Sequence, residues 1–251
     1  AIYKAYPNAE NIAFDPMLGA YLCNPAASSY DIDRILGEYC TEEVSVDAEE
    51  AFKKACLLNE ACRNIESELE KTGQLNLLKE IELPLSRVLA DMENVGFKAD
   101  REALVNMSAE LGKRIALIEK EIFELVGYEF NLNSPKQLGV ALFEKLGLPA
   151  KKKTKSGYST NAEVLEELKN IHPAVALILE YRQLAKLKST YTDGLQDCIA
   201  EDGRIHTSFN QVEARTGRIS SLEPNLQNIP VRTEEGKRLR EFFVAEDGKM
   251  L

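Results

Sequence analysis

Two clusters in this chain of 251 residues carry side chains suited to holding a polyanion. The first is Lys151, Lys152, Lys153 and Lys155, interleaved with Ser156, Gly157, Ser159 and Thr160. Four bases and no acid stand between residues 147 and 160. That pattern fits a solvated loop, and equally a loop wrapped on backbone phosphates. The second cluster is Arg218, Asn225, Gln227 and Asn228, behind Gly217. Guanidinium and amide donors match the acceptors that the minor groove of a duplex offers at every base pair. Gly217 would permit close backbone approach. By spacing alone, the Asn, Gly and Pro of 216–230 read as turn builders.

Smaller groups could serve the same chemistry. Lys188, Ser189 and Thr190 lie near the end of a long helix. Asn131, Asn133 and Ser134 lie at a helix start, where free backbone N–H groups can hold a phosphate or simply be capped. Asn210 and Gln211 add amides. Arg232, Lys237, Arg238 and Arg240 could face a duplex or a nucleotide, or only solvent. His172 and His206 have no partners at metal or catalytic-triad spacing and read as structural.

The formal net charge of −10 argues at first against nucleic acid. Its distribution argues the other way. Residues 1–80 hold 7 Lys/Arg against 15 Asp/Glu, and 203–240 hold seven bases against four acids. Binding to phosphates depends on local neutralisation, not on the total. Five cysteines without a CxxC pair read as free thiols in a reducing cytoplasm. No apolar run spans a membrane, and AIYKAYPNAE is not a signal peptide.

These side chains need helices to position them. Helices are expected over 51–71 and 75–95, with Pro84 kinking the second or starting its latter half. Asp100 caps the next helix. Its apolar stripe is Leu104, Met107, Leu111, Ile115, Ile118, Ile122 and Leu125, closed by Gly127. This helix and the 75–95 stretch should form an antiparallel hairpin. Ser134 and Pro135 start a short helix, and another covers 161–169. Pro173 starts a long one with a stripe of Val175, Ile178, Tyr181, Leu184, Leu187, Tyr191 and Leu195, fraying at Gly194. Residues 204–213 read as a strand, 216–230 as irregular, and the end as a short helix leading to a strand at 249–251.

At TGRISSLEPNLQNIP (216–230) the chain resembles bacterial family A DNA polymerases. FNLNSPKQLG (130–139), LFEKLGLP (142–149), KKTKSGYST (152–160) and YRQLAKLKSTY (181–191) resemble the family's thumb. FDPMLGAYLCNP (14–25) resembles its 3′–5′ exonuclease domain, and 228–251 the approach to the first catalytic strand. Several long strings in order are far more specific than one motif.

The resemblance implies a mostly helical α+β fold in three parts. Residues 1–74 would be the later part of a degenerate exonuclease-like domain, 75–200 the thumb, and 201–251 the start of the palm. It implies primer–template DNA as partner, with Arg218, Asn225, Gln227 and Asn228 at the primer end. The lysine loop would track the duplex. The groups at 131–134 and 188–190, with Asn210, Gln211 and Arg232, would lie along the DNA strands. The parent reaction would be nucleotidyl transfer from a dNTP to a primer 3′-OH with Mg²⁺. The aspartates for that metal are expected beyond Leu251, so the residues present would bind none. A monomeric, bacterial, cytoplasmic protein is expected, inactive by itself. Lys54 and Leu58 stand where the exonuclease's last Tyr and Asp would fall, so proofreading is expected to be absent. Val212, Glu213, Ala214 and Arg215 replace the family's small, Thr-rich stretch. A non-catalytic DNA-binding module and a helical scaffold for a protein partner are the alternatives.

Overall fold

A computed structural model describes residues 3, 9–10, 12–41, 49–150, 153–154, 157–246 and 248–250. The chain is mostly helical with a few two- and three-residue strands. It divides into two compact units, residues 1–97 with 204–228, and residues 98–203 with 229–251. Among the described residues no helix is long and apolar enough to cross a membrane.

In the first unit, Asp15 caps the helix Pro16–Cys23, accepting from the N–H groups of Met17 and Leu18 at 2.9 and 3.1 Å. Asp31 does the same for Ile32–Tyr39 through the N–H of Arg34. Both helices pack on the long helix Glu50–Lys71. Leu18, Tyr21, Leu22, Ile35, Leu36, Ala61, Ile65 and Leu69 make the shared core. The packing is close at Gly19, where a Cβ would come within 2.6 Å of the Ile65 side chain. A turn at Leu75–Leu77 leads through a π-helical segment, Leu78–Glu82, into the helix Leu83–Val95. Pro84, which has no N–H to donate, follows directly on the π-helical segment at the start of that helix.

Residues 204–228 complete this unit. Ser208–Asn210 pairs antiparallel with Ser220–Leu222, in the register Ser208↔Leu222, Phe209↔Ser221 and Asn210↔Ser220. One part of the stretch expected to be irregular is therefore strand. Thr207 and Ser221, each 1% exposed, share a hydrogen bond at 2.6 Å. The Thr207 hydroxyl also reaches the carbonyl of Pro224, and the Ser221 hydroxyl accepts from the N–H of Leu226. Two buried hydroxyls thus fix the turn that carries Asn225 and Gln227.

In the second unit, Asp100 caps the helix Arg101–Val126 through the N–H of Ala103 at 2.9 Å, and Gly127 ends it at φ +90°. Its buried face is Leu104, Met107, Leu111, Ile118, Ile122 and Val126. Ile115 is half-buried, and Leu125 is exposed. The helix packs along Pro173–Leu187. An apolar stripe states that a face is buried but not against which partner.

The second stripe falls as expected, with all seven residues from Val175 to Leu195 buried. Its helix does not fray at Gly194. It passes through a π-helical segment, Lys188–Asp193, and continues to Asp197. The remaining pieces are Pro135–Gly139 with a π-helical extension Val140–Lys145, Ala162–Leu168, and Glu234–Arg240. Near the C-terminus, backbone bonds join Val244 to Lys98 and Asp100 to Phe242. Lys249 and Met250 are not in a strand, and Leu251 lies outside the described residues.

Candidate nucleic-acid interface

Arg218 follows a loop whose backbone is tightly held. Gly217 sits at φ +74°, with nothing within 4 Å of where a Cβ would be. The glycine therefore serves the left-handed turn rather than a close approach within the chain. Arg218 is exposed, and it forms no ion pair or hydrogen bond among the described residues. Gln227 donates through Nε2 to the carbonyl of Ile219 at 2.7 Å, tying the turn back to the residue after Arg218. Asn225 accepts the N–H of Gln227 at 3.0 Å through Oδ1, which leaves its Nδ2 donor free. Arg218, Asn225, Gln227 and Asn228 are all exposed in the same unit. Side-chain oxygens and one amide fix the turn, and among the described residues the guanidinium and the Asn225 amide remain available as donors.

Asn210 and Gln211 are half-buried and bonded within their own unit. The Oδ1 of Asn210 accepts the N–H of Val212 at 2.9 Å. Gln211 donates to both the carbonyl and the carboxylate of Glu82, at 3.1 and 2.8 Å. Glu93 adds a clamp that residue types did not reveal. Its carboxylate accepts the N–H of Phe209 at 2.6 Å, and its carbonyl lies 2.7 Å from Nδ1 of His206. His206 is structural in this arrangement. Glu82 and Glu93 lie 129 and 116 positions from the residues that their carboxylates hold, so no local pattern could show the pairing.

In the second unit, Lys151, Lys152, Lys155 and Ser156 lie outside the described residues. The backbone of Lys153–Thr154 pairs antiparallel with Gly157–Tyr158. Tyr158 stacks on Phe143 with ring centroids 4.9 Å apart, fastening this short ladder to the helix below it. Ser159 is half-buried. Thr160 is 6% exposed, and both its carbonyl and its hydroxyl accept from the Arg182 guanidinium. Burial pulls the Arg182 pKa down from its usual value.

Lys188 is not a free cation. Its Nζ lies 2.6 Å from the Asp193 carboxylate, which also accepts from the Ser108 hydroxyl at 2.5 Å. Partial burial works to raise the Asp193 pKa, but bonds from Lys188 and Ser108 outweigh it and hold the carboxyl below its usual value. Ser189 and Thr190 are exposed beside this pair. At the other helix end, Asn131 accepts the N–H of Asn133, and Ser134 caps Gln137 at 3.4 Å. Asn133 donates to the Tyr181 hydroxyl at 3.3 Å.

The basic residues near 232–240 split in the same way. Arg238 grips Glu110 with two bonds, at 3.3 and 2.8 Å, and Lys237 pairs with Glu234. Arg232 and Arg240 are exposed and unpaired among the described residues. His172 accepts the N–H of Ala174 as a helix cap. Among the described residues no group of three or more His, Cys, Asp or Glu could hold a metal ion.

The arrangement offers unpaired guanidinium and amide donors on turns anchored by buried hydrogen bonds. That chemistry suits a large anion with exposed acceptors. The profile described as DNA polymerase family A matches residues 101–251. DNA polymerase I of Bacillus subtilis (strain 168) is 44% identical over 253 residues, covering 93% of this chain and 29% of that protein. DNA polymerase I of Streptococcus pneumoniae serotype 4 is 56% identical over 180 residues, covering 71% of this chain and 20% of that protein. Among solved structures, the POL domain of Pol1 from M. smegmatis, in complex with DNA primer-template and dNTP, matches with a TM-score of 0.83 and 41% identity. That match covers 93% of this chain and 41% of the other. The chain thus spans under a third of the length of these curated relatives. With a family profile over more than half its length and relatives at this identity, the chain belongs to DNA polymerase family A.

Proposed function

We propose that this chain is the duplex-gripping part of a DNA-directed DNA polymerase. Residues 75–200 act as its thumb and 201–251 as the start of its palm. Residues 1–74 belong to a degenerate exonuclease-like domain without proofreading activity. The complete enzyme transfers nucleotidyl groups from dNTPs to a primer 3′-OH, with Mg²⁺ held by aspartates outside these residues. This chain alone binds primer–template without extending it.

The observation that carries the reading is Arg218, an exposed cation unpaired among the described residues, on a fixed turn, with Asn225, Gln227 and Asn228 exposed in the same unit. In a chain of net charge −10, an exposed arginine unpaired among the described residues, on an anchored turn, is available to meet an anion. A similar structure carrying primer-template DNA supports the same partner. In this reading Arg218 and the amides meet the minor groove at the primer end. Lys151, Lys152, Lys153 and Lys155 neutralise backbone phosphates, with Arg232 contributing. Ser159, Ser189, Thr190, Asn131, Asn133 and Ser134 offer polar atoms to the strands. Lys188, Thr160, Asn210 and Gln211 act by holding these segments in shape.

Arg218→Ala tests the assignment. Charge-assisted hydrogen bonds contribute roughly 1.5–3 kcal/mol, so primer–template affinity of the chain should fall about 10- to 150-fold. Unchanged affinity would remove Arg218 from the interface.

A further inference from the structure

Arg218 is held in place by a tyrosine almost 200 residues earlier in the chain. Tyr21 lies in the helix Pro16–Cys23 and is 3% exposed. Its hydroxyl donates to the carbonyl of Ala214 at 2.8 Å and accepts the N–H of Gly217 at 3.1 Å. The same loop closes with a bond from Gly217 N–H to Ala214 carbonyl at 3.2 Å. One phenol thus bridges both ends of the 214–217 turn and touches the residue directly before Arg218.

Two further attachments seat this loop on the N-terminal helices. Val212 packs against the core built from Leu18, Tyr21, Leu22 and Ile65. Gln211 is bonded twice to Glu82. The Tyr21 ring itself meets Tyr30 edge-on, with centroids 5.7 Å apart, so it keeps its position without the hydroxyl.

We infer that Tyr21 is a positioning residue for Arg218, and that the N-terminal helical cluster serves to pre-set the DNA-gripping turn. The inference rests on the reading that Arg218 meets the duplex. Tyr21 itself is buried and touches no DNA. Its hydroxyl fixes the backbone ahead of Arg218, so less conformational freedom is lost when the guanidinium engages. Without the hydroxyl, the Gly217 N–H and the Ala214 carbonyl each lose a partner, and the turn loosens.

A double-mutant cycle on the whole chain tests this, read by anisotropy of a labelled primer–template duplex at low salt. Tyr21→Phe keeps the ring and removes one oxygen. It should weaken binding about threefold, the scale of one modest hydrogen bond. In the Arg218→Ala background the same change should cost less than about 1.5-fold, because coupled residues are not additive. The slope of affinity against salt should not change, since no charge is altered. Loss of affinity from Arg218→Ala, with Tyr21→Phe silent or fully additive, would overturn the positioning role and leave the duplex reading intact. No effect of Arg218→Ala would overturn both.

Discussion

Lys188 and Arg218 look equivalent as basic residues beside polar neighbours, yet they have opposite fates. Lys188 is locked to Asp193, and Arg218 is unpaired among the described residues. The local signals were legible in the sequence. Asp100 and Ser134 cap their helices as expected, each through a bond that spans only three residues. Pairings across the chain were not. Thr160 reads as a free hydroxyl in a basic loop, but Arg182, 22 positions on, binds it. Arg182→Ala would leave the buried Thr160 carbonyl and hydroxyl without that partner. The expected loss is about 1–3 kcal/mol of stability, measured by urea denaturation. Unaltered stability would mean that water replaces the guanidinium without cost.

At the scale of elements, periodicity located the helices well and their partners poorly. The stripe from Val175 to Leu195 is buried throughout, even across a π-helical segment that no sequence signal marked. In the Arg101–Val126 helix the last core position is Val126 rather than Leu125. Both residues satisfy a period of 3.6 after Ile122, and only the packing partner chooses between them. Ile178 is fully buried where the two long helices meet. Ile178→Ala should therefore cost about 2–5 kcal/mol, read as a lower unfolding midpoint. A cost below about 1 kcal/mol would show a core able to collapse around the gap.

Two carboxylates held by basic partners, Glu110 across elements and Asp193 within its own segment, respond to acid. The hydrogen bond and charge of Arg238 hold Glu110 below its ordinary value of 4.5. Asp193 is likewise held below its ordinary 3.8, burial being outweighed by Lys188 and Ser108. A carboxyl whose folded pKa is depressed stabilises the fold above its unfolded pKa. That contribution is lost as pH falls through the folded value. Stability should therefore decline as pH drops below about 4.5, and the decline should be shallower in a Glu110→Gln, Asp193→Asn double variant. Equal slopes in the two proteins would exclude these pairs as the cause.

Over the whole molecule, charge is segregated. The acidic excess lies in residues 1–80, and the lysine loop and the Arg218 turn lie far beyond it in sequence. Net charge therefore says little about partners, and the arrangement of unpaired cations says more. Strings such as TGRISSLEPNLQNIP made the family legible from sequence, whereas the division into two compact units was not, because residues 204–228 return to the N-terminal unit. The most direct measurement is fluorescence anisotropy of a labelled primer–template duplex with the chain and its Lys151, Lys152, Lys153 and Lys155→Ala variant, at several salt concentrations. The account predicts salt-sensitive binding whose log–log slope becomes shallower by up to about 0.9 for each phosphate that the variant no longer neutralises. No binding even at low salt, or the same slope in both proteins, would contradict it.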